Sequence, residues 1–173
     1  MIIRKAIHKD IDNIMEMYSS CVNGMLKINI DQWDKTYPNQ KIISEDIIKK
    51  TYYIAIEKKQ ILAGINIDQI QDKTYLAIKW KDQENKFMVV HRLAVLENYW
   101  SKGIGKKLMD FAEKLAFKKK LNSIRLDTYN SNKKAIIFYK NIGYTQLGEI
   151  FLKPNKNEYY CFEKLIKQNK PVL

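Results

Sequence analysis

With 173 residues, 46% of them hydrophobic and 29% charged, the chain has the make-up of one globular domain that encloses a core without disulfide staples, which excludes wholesale disorder. No window approaches the roughly 18 apolar residues of a membrane span, and the opening MIIRKAIHKDID turns polar too early for a signal peptide, so a cytoplasmic protein is expected. Lys and Arg outnumber Asp and Glu by 31 to 19, giving a net charge of +12; the lysines are scattered, and the densest run, Lys118 to Lys120, falls at a predicted helix end, so a solvated basic surface is expected rather than a nucleic-acid patch.

In chain order, Ile2 to Ala6 reads as a strand, and Asp10 reads as the N-cap of a helix whose apolar positions Ile11, Ile14, Met15, Tyr18, Cys21 and Val22 follow the 3.6-residue period. Gly24 to Gln40 reads as irregular, and Ser44 as the cap of a short helix, SEDIIKK. Four apolar runs of strand length follow: Tyr52 to Glu57, Ile61 to Asp68, Tyr75 to Trp80 and Phe87 to Leu96. A helix opening at Gly103, a strand from Ser123 to Tyr129, a helix NKKAIIFYKNIG and two closing strands, YTQLGEIFL and YYCFEKLI, complete the chain. No linker, repeat or low-complexity tract interrupts it, so residues 1–173 are expected to form one domain. Adjacent strands in the first half predict an antiparallel meander, and the later helical crossovers predict parallel pairing. Cys21 and Cys161 lie far apart with no CxxC and no neighbouring histidine; both read as buried hydrophobes, and no metal site is expected.

One feature is not explained by packing alone: Gly103 and Gly105 open the helix that follows the strand FMVVHRLAV and the loop LENYWSK. A helix N-terminus offers unpaired N–H groups and about half a positive charge, and glycines let a phosphate approach them. Lys102, Lys106 and Lys107 add charge at the same turn. The pattern is neither a P-loop nor a dinucleotide fingerprint, since no Ser or Thr follows Lys106 and Leu108 stands at the third glycine position. On the glycines alone, an incidental turn and a phosphate seat stand equal.

HRLAVLENYWSKGIGKKL followed by NKKAIIFYKNIGY resembles the GNAT superfamily of acetyl-coenzyme A dependent N-acyltransferases. The family hallmark, Arg or Gln, two residues, Gly, any residue, then Gly or Ala, reads here Trp100-Ser101-Lys102-Gly103-Ile104-Gly105, with Trp100 in the Arg or Gln place. Its second signature matches Asn132, Ala135, Phe138, Tyr139, Gly143 and Tyr144. The resemblance implies a mixed α/β domain, α+β in arrangement: a twisted, mostly antiparallel sheet of about seven strands, splayed near the cofactor and flanked by helices. It also implies acetyl transfer from acetyl-coenzyme A to a primary amine of a small molecule or peptide by direct attack, without a covalent enzyme intermediate and without a metal. A homodimer is left open.

By position, the resemblance implies that backbone groups of Leu93, Ala94 and Val95 bond the pantetheine arm, with the Leu93 N–H as oxyanion donor, and that the amides of Ser101, Lys102, Gly103, Ile104, Gly105 and Lys106 seat the pyrophosphate. Asn132 is a helix N-cap, a cofactor contact, or both. Tyr139 takes the place of the general acid that protonates the leaving thiolate, with simple packing as the alternative. Some family members carry a base where this chain has Val89. His91, two residues on and on the same strand face, is the replacement candidate against a purely structural histidine, with Glu97 behind it. The acceptor region falls on IDQWDKTYP, where Trp33 and Tyr37, with Asp31 and Asp34, either line an amine pocket or pin the loop to the core. The reading from a different class is a non-catalytic basic module that binds nucleic acid on the same fold.

Overall fold

Seven strands form one open, mostly antiparallel sheet in the computed structural model, which describes residues 1–152 and 157–167. They are β1 (Ile2–Lys5), β2 (Tyr52–Glu57), β3 (Gln60–Asp68), β4 (Phe87–Val95), β5 (Ser123–Tyr129), β6 (Thr145–Ile150) and β7 (Tyr159–Leu165), in the spatial order β1-β2-β3-β4-β5-β7-β6. The helices are α1 (Ile11–Lys27), α2 (Gln40–Ile48), α3 (Ile104–Lys118) and α4 (Lys133–Asn141). The chain divides into two compact units, the first made of Met1–Ile67 and His91–Asp110, the second of Asp68–Val90 and the described residues from Phe111 onward.

In the first unit β1, β2 and β3 pair antiparallel as the meander expected from adjacent apolar runs, with Ile3 opposite Ala55 and Ile54 opposite Gly64. The stripe of α1 buries Ile11, Ile14, Met17, Tyr18, Cys21 and Val22 in a core shared with Trp33, Ile43, Tyr52 and Ile54. Two expectations change here and a third is qualified. Helix α1 does not end near Gly24 but runs through it to Lys27, because a Cβ on Gly24 would stand 2.8 Å from both the Glu97 and Trp100 side chains; the glycine is a close-approach site inside the helix. Helix α2 starts at Gln40 and not at Ser44: Asn39 Oδ1 accepts the Ile42 N–H at 3.1 Å, while the Ser44 hydroxyl donates to the Gln40 carbonyl within the helix. Asp10 is the N-cap residue of α1, as expected, but its side chain makes no capping bond to the helix. Its carboxylate accepts the Ile7 N–H at 2.8 Å and a bidentate pair of bonds from Arg4 at 2.7 and 2.8 Å, and the Arg4 guanidinium holds the acid below its ordinary range.

In the second unit β4 and β5 run parallel, Phe87 opposite Ser123 through Val89 opposite Arg125, while β7 lies antiparallel between β5 and β6. The stretch Tyr75 to Trp80, expected as a strand, is instead a 3-10 turn over Lys73–Ala77, with the Asp72 carboxylate accepting the Thr74 N–H at 2.8 Å. A buried cation takes over this region. Arg125, directly opposite Glu163 across β5 and β7, bonds that carboxylate at 3.2 Å, the Gln71 side chain at 3.0 Å and the Asp82 carbonyl at 3.1 Å, and it sits 4.6 Å from the Trp80 ring. Asp82 in turn accepts the Glu84 and Lys86 amides. Residues 71–86 therefore fold around one guanidinium rather than along a strand edge.

Arg125 and Glu163 are both at most 1% exposed, so removing one strands the other's charge in the interior. Arg125→Met is expected to lower stability by about 3–5 kcal/mol in urea denaturation; a loss below about 1 kcal/mol would show that the network does not hold this unit.

Candidate active site

Strand β4 is a nearly continuous apolar run until Arg92, whose φ of +52° lies in the left-handed region. Such a conformation costs a non-glycine residue roughly 1–3 kcal/mol and redirects the peptide that follows it. Side chains from three other elements hold it. The Tyr18 hydroxyl of α1 donates to the Arg92 carbonyl at 2.8 Å, and the Tyr52 hydroxyl of β2 donates to Tyr18 at 2.8 Å. The guanidinium bonds Asp46 of α2 through Nη2 at 2.6 Å and Nε at 3.1 Å, with the Tyr37 hydroxyl at 3.4 Å. Burial pushes both Tyr18 and Tyr52 well above the ordinary phenol value, so both hydroxyls keep their protons.

Leu93, Ala94 and Val95 follow this left-handed residue. Val95 is engaged by the protein itself: its carbonyl accepts the Trp100 indole N–H at 2.7 Å, and its backbone bonds the Cys21 sulfur, which partly offsets the burial that lifts that thiol to about 11. Trp100 thus uses the polar atom at its motif position inside the fold, with its ring edge against Gly24. The Leu96 N–H returns to the sheet by bonding the Leu62 carbonyl at 2.8 Å. Glu97, the secondary base candidate, receives Lys27 Nζ at 2.9 and 3.0 Å.

The loop into α3 has two left-handed residues within three positions, Ser101 at φ +60° and Gly103 at φ +77°. A Cβ on Gly103 would meet nothing within 4 Å, so backbone conformation and not local crowding requires glycine there. The Gly103 carbonyl accepts the Lys107 N–H at 3.1 Å, so Ile104, Gly105 and Lys106 form the first turn of α3. Lys102 Nζ stands 4.9 Å over the Tyr99 ring, and Lys106 pairs with Asp110 at 2.8 Å on the exposed face.

His91, Trp33 and Tyr37 belong to this same unit. His91 is half-buried and directly precedes Arg92. Trp33 is buried, edge-on to Tyr18 at 5.7 Å and to Tyr37 at 6.4 Å between ring centroids. Asp34 holds the intervening turn by accepting the Thr36 amide at 2.7 Å.

Asn132 and Tyr139 belong to the second unit. Asn132 caps α4: its Oδ1 accepts the Ala135 N–H at 3.1 Å and its carbonyl accepts the Ile136 N–H at 3.1 Å. Beside it, at the β5 to α4 turn, Asn130 Oδ1 and Ser131 Oγ are buried polar atoms with no hydrogen-bond partner among the described residues. Acceptors in that state are costly unless a ligand or solvent donor meets them, so the turn suits a ligand that carries N–H groups. Tyr139 is buried between the rings of Tyr144 at 6.0 Å and Phe162 at 5.8 Å. Burial, with the nearby Asp127 carboxylate, holds its phenol well above the ordinary value, while Asp127 itself accepts the Tyr75 hydroxyl at 2.8 Å. Among the described residues no group of three or more His, Cys, Asp or Glu is arranged to hold a metal ion, and no helix is long and apolar enough to cross a membrane.

Sequence reasoning missed Arg92, Tyr18, Tyr52 and Asp46 as parts of the site. The one available signal was the arginine itself, a charge inside the apolar run FMVVHRLAV.

Residues 15–144 match the model of the acetyltransferase (GNAT) family. The chain is 24% identical over 165 residues, 93% of its length and 88% of the relative's, to the uncharacterized N-acetyltransferase YesJ of Bacillus subtilis (strain 168). Among solved structures, a GNAT-family acetyltransferase from Streptococcus agalactiae 2603 superposes with a TM-score of 0.83 at 23% identity, covering 96% of both chains. The PaiA N-acetyltransferase of Thermoplasma acidophilum, determined in complex with coenzyme A, superposes with a TM-score of 0.71 at 18% identity, covering 95% of this chain and 98% of that one.

Proposed function

Since the chain belongs to the GNAT family of acetyltransferases, we propose that it moves an acetyl group from acetyl-coenzyme A to a primary amine of a small molecule or peptide by direct attack, as one domain spanning residues 1–173. The observation that carries this reading is the left-handed Arg92 in β4, followed within a dozen residues by the Ser101–Gly103 turn into a helix N-terminus. Acetyl-coenzyme A supplies the activated thioester; the chain's own groups do the rest. The amides from Ser101 to Lys106 receive the pyrophosphate, with the helix dipole and the neighbouring lysines favouring its charge. Because Trp100 is committed to Val95, that seat rests on backbone donors. Asn130, Ser131 and Asn132 meet the amide-bearing pantetheine arm, and Leu93 with Ala94 receives the thioester end.

As the amine nitrogen bonds to the carbonyl carbon, charge develops on the carbonyl oxygen, and the Leu93 N–H meets it. The carbon–sulfur bond then breaks, the sulfur leaves as thiolate and the nitrogen loses a proton. Tyr139 donates to the sulfur, since a buried phenol held above its ordinary value is protonated throughout the working pH range. His91 receives the amine proton. Trp33 and Tyr37 form the wall on which the acceptor lies, with aromatic faces suited to an ammonium group.

The acceptor and the reaction are tested together by a thiol-release screen across amine classes with acetyl-coenzyme A; no thiol release above background with any class would end the reading. Gly105→Glu places bulk and negative charge at the phosphate seat and is expected to weaken coenzyme A binding by at least tenfold in calorimetry, whereas parental affinity would move the seat elsewhere. For His91→Ala the expected result is a loss of turnover that is steepest near neutral pH and partly recovered at higher pH, where more of the amine is free. A pH profile superimposable on the parent's would remove His91 as the base. Tyr139→Phe keeps the ring and its packing, so coenzyme A affinity is retained while kcat falls by about 10² to 10⁴. In the parent, the raised phenol value means that no alkaline loss of rate traceable to Tyr139 appears below about pH 10. Parental kcat in the Phe variant, with chemistry limiting turnover, would leave Tyr139 as packing alone.

A further inference from the structure

The Arg92 carbonyl and the Leu93 N–H are two ends of one peptide unit. A trans peptide is planar, with its C=O and N–H directed oppositely, so a group that fixes the carbonyl direction fixes the amide direction too. That group is Tyr18. Its hydroxyl lies 2.8 Å from the Arg92 oxygen, and because a carbonyl only accepts, Tyr18 must donate. Its one proton is committed there, so the 2.8 Å bond between the two tyrosines has Tyr52 as donor and Tyr18 as acceptor. We propose that Tyr18, oriented by Tyr52, is a positioning residue for acyl transfer: it pins the Arg92 carbonyl inward and thereby aims the Leu93 N–H outward at the thioester oxygen.

The role rests on the acetyl-transfer reading above. The relay is built to be rigid. Tyr18 is 1% exposed and Tyr52 is fully buried; the Trp33 ring packs edge-on against Tyr18, and Tyr52 lies so closely over Gly64 that any side chain there would collide with its hydroxyl. The Asp46 ion pair holds the same residue by its side chain. Arg92 is therefore fixed at both its carbonyl and its guanidinium, which is what a left-handed residue needs if it is not to relax toward regular strand.

Tyr18→Phe removes the donor while keeping the ring. It is expected to lower kcat at least about tenfold, less than the 10² to 10³ of deleting an oxyanion donor outright, with the coenzyme A dissociation constant within about threefold of the parent. Exchange of the Leu93 amide, followed by NMR, is expected to speed up in the same variant without ligand. Val22→Ala, in the same helix and core, supplies the control: at an equal drop in melting temperature it keeps parental kcat. Tyr52→Phe is expected to act in the same direction but more weakly, and the double variant to lose no more than Tyr18→Phe alone, as groups acting in series do. Should Tyr18→Phe not fold, Tyr52→Phe carries the test through the same two readouts. Parental kcat, a loss matched by Val22→Ala, or unchanged Leu93 exchange would each overturn the positioning role. A parent that neither binds coenzyme A nor releases thiol overturns the underlying reading instead, a result recognised without reference to any Tyr18 variant.

Discussion

A residue with a side chain held in the left-handed region inside a strand is the constraint around which the first unit is arranged. Left alone, Arg92 would gain roughly 1–3 kcal/mol by relaxing to extended backbone, so its φ of +52° persists because other groups over-determine it. Each nearby element contributes one of those groups. Helix α1 brings Tyr18, β2 brings Tyr52, α2 brings Asp46, and the connection between the helices brings Tyr37. The ion pair is mutual: Asp46 is 6% exposed, and without Arg92 it would be an uncompensated buried charge. Even Gly64 in β3 is set by this arrangement, since it is the surface over which Tyr52 reaches its partner.

The second unit also builds around an arginine, with a different outcome. Arg125 spends its donors on Glu163, Gln71 and the Asp82 carbonyl and lies against the Trp80 and Phe87 rings, the latter 4.0 Å away. Its effect is to order a connection. Arg92 instead spends its bonds on keeping one peptide in an unfavourable orientation, and strain of that kind is worth maintaining where an amide has to face a ligand. The two arginines look alike in sequence, each a single cation in an apolar run, and only their surroundings separate one that orders a connection from one that is held in a left-handed conformation.

Local physics made much of the fold legible. The apolar stripe of α1, the antiparallel meander and the Asn132 cap follow from periodicity and side-chain reach, and the two signature stretches carry the family. What misled was long-range. YLAIKW alternates like a strand, yet Asp72 starts a turn there and the Trp80 ring stacks on a guanidinium from β5. Gly24 reads as a helix end, yet it is mid-helix because two side chains far along the sequence press on it. Arg92 reads as an ordinary strand residue, because a φ angle leaves no mark on composition. Several of the signature residues lie at element ends, Ser101 and Gly103 in the turn into α3 and Asn132 at the cap of α4, whereas Tyr18 and Tyr52 read only as core positions.

The contact between Gly24 and Trp100 carries an implication for how this sequence can drift. The indole fills the space that a side chain on α1 would need, and glycine in a helix interior forgoes roughly 1 kcal/mol relative to alanine. The two positions therefore form a lock-step pair of sizes: neither is free to mutate alone without a void or a collision. The Glu97 side chain, 2.8 Å from where that Cβ would stand, closes the same space from a second side, so shrinking the indole alone would not admit a side chain on the helix. An apparent lapse in the cofactor signature and an apparent flaw in a helix are then two halves of one packing solution, written at sites 76 residues apart in the chain.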